Sequence, residues 1–186
     1  KPAQALDLFL QAREKAPGSE TALAAAGAMD TIRSGGAAGL PADATALLRE
    51  ARVEGRAGRW QKQSPLLERF LARHGSHGRV VDATVDLSLA VARTKGRLAA
   101  AIWMDQHVES AHNERQRARY LFEAAVHRWN GNHSLDALEG FGAMLALGSG
   151  IEQEQNAHYA SGRIHETARR YTAAAASYRS SSSGAD

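Results

Sequence analysis

The sequence predicts an all-α protein, an α-solenoid of antiparallel helix pairs with about ten helices in a single array over residues 1–186. Three observations predict it. One outline (helix, turn, helix, break) starts again at Ala44, Asp82, Ala118 and Gln155, at intervals of 38, 36 and 37 residues, and a steady period of this size marks stacked helical repeats. Much of the 44% hydrophobic content is Ala, the strongest helix former. No alternating run of β-branched residues points to a strand. The units fall near 3–35, 44–77, 82–113, 118–149 and 155–186.

Each element follows from its residues. Pro2 opens a helix over 3–16 with a Leu6, Phe9, Leu10 stripe, and Pro17-Gly18 closes it. A second helix runs over 20–33, and 34–42, with three Gly and a Pro, is a loop. Whether 3–16 and 20–33 form one hairpin or belong to two units stays open at this point. Asp43 suits the N-cap of a helix over 44–54. Ser64-Pro65 reads as the start of the next helix, with 61–63 joined to it only through a kink at Pro65.

Residues 79–94 are expected to bury Val81, Val85, Leu89 and Ala92, and residues 97–111 Leu98, Ile102 and Val108. Asn113 is a break. Residues 114–130 carry two apolar stripes, Leu121 with Ala125, and Phe122 with Val126 and Trp129. A helix apolar on two sides is packed on both, or packed on one and binding with the other. Residues 134–147 follow with Leu135, Leu138, Phe141 and Leu145, then a 148–150 loop, helices over 152–168 and 171–180, and a Ser-rich fraying end.

The units share finer marks. First helices carry pairs four apart, Leu47 with Ala51, Val85 with Leu89, Leu121 with Ala125, and more weakly His158 with Gly162. Such pairs lie on one helix face. Turns follow at Gly58, Gly96, Asn132 and Arg169. Five residues on stand Gln63, Ala101, Ala137 and Ala174, where small side chains let helices approach, and four further on Leu67, Asp105, Phe141 and Tyr178. This pattern resembles the tetratricopeptide repeat, a helix–turn–helix of about 34 residues. The N-terminal segment carries it through Ala5, Phe9, Ala12 and Pro17, then Leu23, Ala26, Gly27 and Asp30. Gln63 and Asp105 depart from it, one large for small and one polar for apolar.

The balance of 23 basic and 20 acidic residues, a net +3, is too even to imply a nucleic-acid partner. No cysteine is present, so no disulfide or thiolate metal site is expected. No apolar run reaches the ~18 residues of a membrane span. Lys1 is not Met and no signal peptide follows, so a processed product or excised piece is expected.

No catalytic constellation stands out, and no enzyme activity, metal or cofactor is expected. His107 and His112 are five apart rather than the four of a convergent zinc pair. Glu109-Ser110 is similar to the catalytic pair of the periplasmic soluble lytic transglycosylases, but Ala111-His112-Asn113 follows where that family has Gly-Leu-Met-Gln. At most the chain is similar to that family's non-catalytic superhelical part.

The tetratricopeptide resemblance implies a binding surface along the first helices. Its positions are Thr45, Leu48 and Arg52; Ala83, Asp86, Ala90 and Arg93; Arg119, Phe122, Val126 and Trp129; and Asn156, Tyr159, Arg163 and Glu166. Arg52, Asp86, Arg93, Arg119, Phe122, Trp129, Asn156, Tyr159 and Arg163 are the candidate partner contacts, since aromatics and Arg dominate interface energetics. A noncatalytic scaffold for a protein or peptide is the leading expectation. A peptidoglycan-enzyme superstructure, an RNA-binding array and self-association are the alternatives. The absence of Cys fits either the bacterial cytoplasm or the periplasm, and the periplasm is the expectation of the two.

Overall fold

In the computed structural model, residues 8, 10–12, 14, 15, 25, 44–150 and 152–182 are described. They contain eight complete helices: α1 (Ala44–Arg56), α2 (Trp60–Arg73), α3 (Val80–Lys95), α4 (Arg97–Val108), α5 (Glu114–Asn130), α6 (Ser134–Ala146), α7 (Gln153–Thr167) and α8 (Tyr171–Ser182). Among the described residues there is no strand, and no helix is long and apolar enough to cross a membrane. The expected helices over 3–16 and 20–33, the 34–42 loop and the Asp43 cap lie wholly or mostly outside the described residues.

The chain forms two compact units, Lys1–Ala90 and Val91–Asp186. In the first, α1 and α2 pack as a hairpin through Leu47, Ala51, Val53, Leu67 and Phe70. Gln63 stands where a small residue was expected, and Gly55 makes the room. A Cβ on Gly55 would come within 2.5 Å of the Gln63 amide. Beside it Arg59 pairs with the buried Glu54 at 2.5 Å. Arg49 reaches Glu14 at 3.4 Å.

The second unit holds a core of Ala118, Ala125, Ala137, Phe141, Met144, Ala157, Ala160 and Ile164 drawn from α5, α6 and α7. Two replacements are compensated here too. Asp105, in place of a large apolar residue, pairs with Arg128 of α5 at 2.5 Å. Gly162 lets the Tyr178 ring lie directly on α7, since a Cβ there would be 2.5 Å from it.

The turns repeat one hydrogen-bond pattern. Arg59 N–H donates to Glu54 O and Gly58 N–H to Gly55 O; His133 to Arg128 and Asn132 to Trp129; Arg170 to His165 and Arg169 to Glu166. These are Schellman closures, and their accepting residues 54, 128 and 165 stand two periods and then one apart. Each places one residue at positive φ: Gly58 (70°), Asn132 (65°) and Arg169 (57°). Gly96 also has positive φ (95°) but serves as the N-cap of α4.

Several sequence expectations are corrected. α2 begins at Trp60 and runs through Pro65 rather than starting at Ser64. The Ser64 hydroxyl donates to the Trp60 carbonyl (3.0 Å) in the turn where Pro65 brings no N–H. In α3, Leu89 is exposed while Ala83, Thr84, Val85, Leu87, Ser88 and Ala90 are buried. Thr84 and Ser88 can turn inward because their hydroxyls donate back to Val80 O (2.9 Å) and Val85 O (2.7 Å). In α4, Leu98 and Ile102 are exposed, and Ala100, Ala101, Met104 and Val108 are buried. Leu135 of α6 is exposed, whereas Phe141 is fully buried.

Arg169 holds a left-handed conformation that costs a non-glycine residue about 1 kcal/mol. Arg169→Gly should stabilise the chain by roughly 0.5–1 kcal/mol, after the entropy glycine adds to the unfolded state. Asn132→Gly should give less, because Asn tolerates this region. Urea midpoints of the two variants check the order, and an unchanged or lower midpoint for Arg169→Gly refutes it.

Candidate functional site

The candidate contacts fall in both units. Arg52 and Asp86 belong to the first, and both are exposed. Desolvation of its carboxyl and the nearby Asp82 raise the pKa of Asp86, while Arg52 and Arg79 pull it down. Arg79 itself pairs with Asp82 at 2.7 Å. Ala83 and Ala90, expected on the same surface, are wholly buried, so this stretch of α3 offers only its charged residues.

In the second unit, Arg93 is exposed on the last turn of α3. The α5 row is built from the cap upward. Asn113 accepts the Gln116 N–H at 2.8 Å, Gln116 Oε1 accepts the His112 N–H at 3.1 Å, and Gln116 Nε2 donates to the Tyr120 hydroxyl at 2.7 Å. The Gln116 N–H of the first turn and the His112 N–H just before the cap are thereby satisfied. Arg119 is then half-buried and paired with Glu123 at 2.8 Å. Desolvation raises the Glu123 carboxyl pKa, and Arg119 opposes this. Phe122, Val126 and Trp129 are half-buried and rest on the core cluster. The Phe122 ring meets Phe141 at 5.8 Å. The second apolar stripe of α5 therefore packs inward on one flank and keeps part of its surface open.

The α7 row is more open. Asn156, Tyr159 and Arg163 are all exposed. Arg163 lies 3.6 Å from Glu166. Glu166 accepts the Tyr178 hydroxyl at 2.8 Å, and the Tyr159 and Tyr178 rings stand 5.9 Å apart at 47°. Glu166 thus links Arg163 to Tyr178, whose ring lies against Tyr159 and over Gly162. Since α5 and α7 touch within the unit, the two rows lie on neighbouring helices.

Sequence reading missed the buried polar residues. His127 of α5 is buried, with its ring 3.4 Å from the Arg97 guanidinium. Desolvation first, then Arg97, lowers its pKa to about 4. The Trp103 and His107 rings stand 3.9 Å apart at 35°, and the His107 ring meets Tyr120 edge-on at 6.4 Å. No group of His, Asp or Glu among the described residues could hold a metal ion.

With this geometry in hand, known structures decide the fold. The fold is similar to that of MamA. One MamA crystal structure superimposes with a TM-score of 0.60 at 12% identity, over 96% of this chain and 90% of that one. A MamA AMB-1 structure gives 0.52 at 18% identity, over 96% and 95%. The tetratricopeptide-like arrangement of antiparallel helix pairs is thus that of MamA along nearly the whole length of both chains. No family model matches the sequence, and no curated protein matches it.

The lowered pKa of His127 sets a pH dependence. A base whose folded value lies below its unfolded 6.5 binds fewer protons in the native state. Its stabilising effect is complete above pH 6.5 and is lost as pH falls towards 4, by up to roughly 3 kcal/mol. The raised pKa of Glu123 works in the opposite sense, so the comparison is made against His127→Gln. That variant should flatten the fall in urea midpoint between pH 7 and pH 4; an unchanged slope contradicts the assignment.

Proposed function

We propose that the chain is a noncatalytic protein-interaction scaffold that holds a peptide or protein segment along the first-helix face of its second unit, on α5 and α7. The observation that carries this reading is the α7 row. Tyr159, an aromatic residue with about half its surface open, stands on a helix between an exposed amide, Asn156, and an exposed guanidinium, Arg163. An exposed aromatic braced by its neighbours supplies contact area at small entropic cost, and Arg and Tyr are the types that concentrate binding energy. The half-open Phe122, Val126 and Trp129 stand on α5, which α7 touches, and Arg119 stands on the same helix.

Charge compensation argues for protein over RNA. Arg119, Arg128 and Arg163 each have a carboxylate partner, whereas a nucleic-acid face needs uncompensated cations. The MamA likeness concerns fold, and supports a helical scaffold to that extent.

Photo-cross-linking side chains placed at Asn156 or Arg119 should capture a partner that the same probe at the exposed Leu135 of α6 does not. Equal capture from Leu135 would remove the face assignment. Phe122→Ala and Trp129→Ala separate packing from binding. Each half-buried ring should cost about 1–3 kcal/mol of stability, less than the 3–5 of a fully buried aromatic, while weakening capture from Asn156. If melting collapses with either, that ring belongs to the core.

A further inference from the structure

We infer that one end of the second unit, where α4, α6 and α8 begin, is a docking surface for an anionic lipid bilayer. This goes beyond the partner row on α5 and α7, since it uses the ends of helices and not that row.

The three helix starts share one end. A Cβ on Gly131 would stand 3.2 Å from the Arg97 Cβ, so α4 begins beside the turn that joins α5 to α6. Asn113, Glu114 and Arg115 line one cavity with Gly148 and Ser149, so α7 begins beside the start of α5. The α7–α8 turn therefore lies at the same end as the α5–α6 turn. Each of the three helices opens with a large apolar side chain in the open: Leu98 (43% exposed), Leu135 (65%) and Tyr171 (66%). They stand 37 and 36 residues apart, the spacing of the repeat. Side chains on a helix lean towards its N-terminus, so all three lean out past the end of the unit.

Their surroundings are basic. Lys95, Arg169 and Arg170 are exposed and hold no ion pair among the described residues. Arg97 faces the His127 ring at 3.4 Å. The carboxylates at this end are already engaged, Asp136 lying 3.9 Å from His133, and Glu166 taking the Tyr178 hydroxyl at 2.8 Å with Arg163 at 3.6 Å. The opposite end carries Glu109, Glu114, Glu152 and Glu154 against Arg115 and Arg117. Charge is thus separated along the helices, and the apolar tips stand at the cationic end.

This combination selects the occupant. Uncompensated cations draw an anionic surface. A nucleic acid would use the cations and leave Leu98 and Leu135 wet, and a folded protein would need a separate pocket for each tip. A headgroup layer deforms around single projecting side chains and buries them together, and tyrosine is enriched at that depth.

The test is cosedimentation of the whole chain with vesicles of phosphatidylcholine alone or with about a third phosphatidylglycerol. Binding to the anionic vesicles alone is expected, weakening between about 0.1 M and 0.5 M salt. Lys95→Gln with Arg170→Gln should weaken it by about fivefold for each cation removed. Leu135→Ser, at an exposed position outside the core, should weaken it by at least about fivefold as well. Arg115→Gln with Arg117→Gln, at the opposite end, should leave it unchanged. Absence of binding to anionic vesicles, equal binding to neutral ones, or equal loss with the Arg115 and Arg117 variant overturns the docking surface. So does a result in which the Lys95 and Arg170 variant loses both vesicles and a generic RNA while Leu135→Ser loses neither, since that describes a site for polyanions and not for a bilayer.

Discussion

Everything in this fold depends on how closely the two helices of a hairpin can approach. Ala137 and Ala174 sit fully or nearly fully buried at the point of contact in their hairpins, and Ala101 occupies the matching place in α4. Gly140 comes so near Ala125 that an added Cβ would be 3.0 Å from it. Helices this close leave no room for bulky residues between them, so the large side chains Phe141, Met144 and Ile164 fill the next layer out. Burying a ring such as Phe141 contributes about 2–3 kcal/mol. That gain is available only because the alanines let the backbones close around it.

The helix pattern, the period and the turn positions were all readable from residue types, because each has a local cause. Gly58, Gly96, Asn132 and Arg169 were aligned by spacing; Gly58, Asn132 and Arg169 prove to be left-handed closures of the same kind, while Gly96 caps the start of α4. The facing of individual helices was harder to read. The apolar residues of α3 and α4 suggested Leu89, Leu98 and Ile102 as core, yet all three are exposed. Serine and threonine that bond their own backbone count as polar in a pattern but behave as small core residues in a helix. Alanine, weakly apolar, outcompetes leucine wherever contact is close.

Departures from the repeat pattern were legible as departures but not as solutions. Gln63 and Asp105 looked like lost marks, and the pair His158 with Gly162 like a weak one. Each is answered by a residue elsewhere: Gly55 across the hairpin, Arg128 on the following helix, and Tyr178 on the pairing helix. Compensation of this kind needs three-dimensional neighbours, which spacing cannot supply. The same limit applies to the candidate contacts. Their positions on first helices follow from register, whereas the packing of Tyr178 on Tyr159 and its bond to Glu166 are visible only once α8 is folded over α7.

The recurring turn has an evolutionary corollary. Three of the junctions between paired helices use one set of backbone bonds, at residues separated by whole multiples of one block. A segment of about 37 residues copied within the gene would therefore arrive with its own ready-made corner at the matching place. Lengthening such a chain calls for duplication alone, and the side chains of the new copy are then free to diverge.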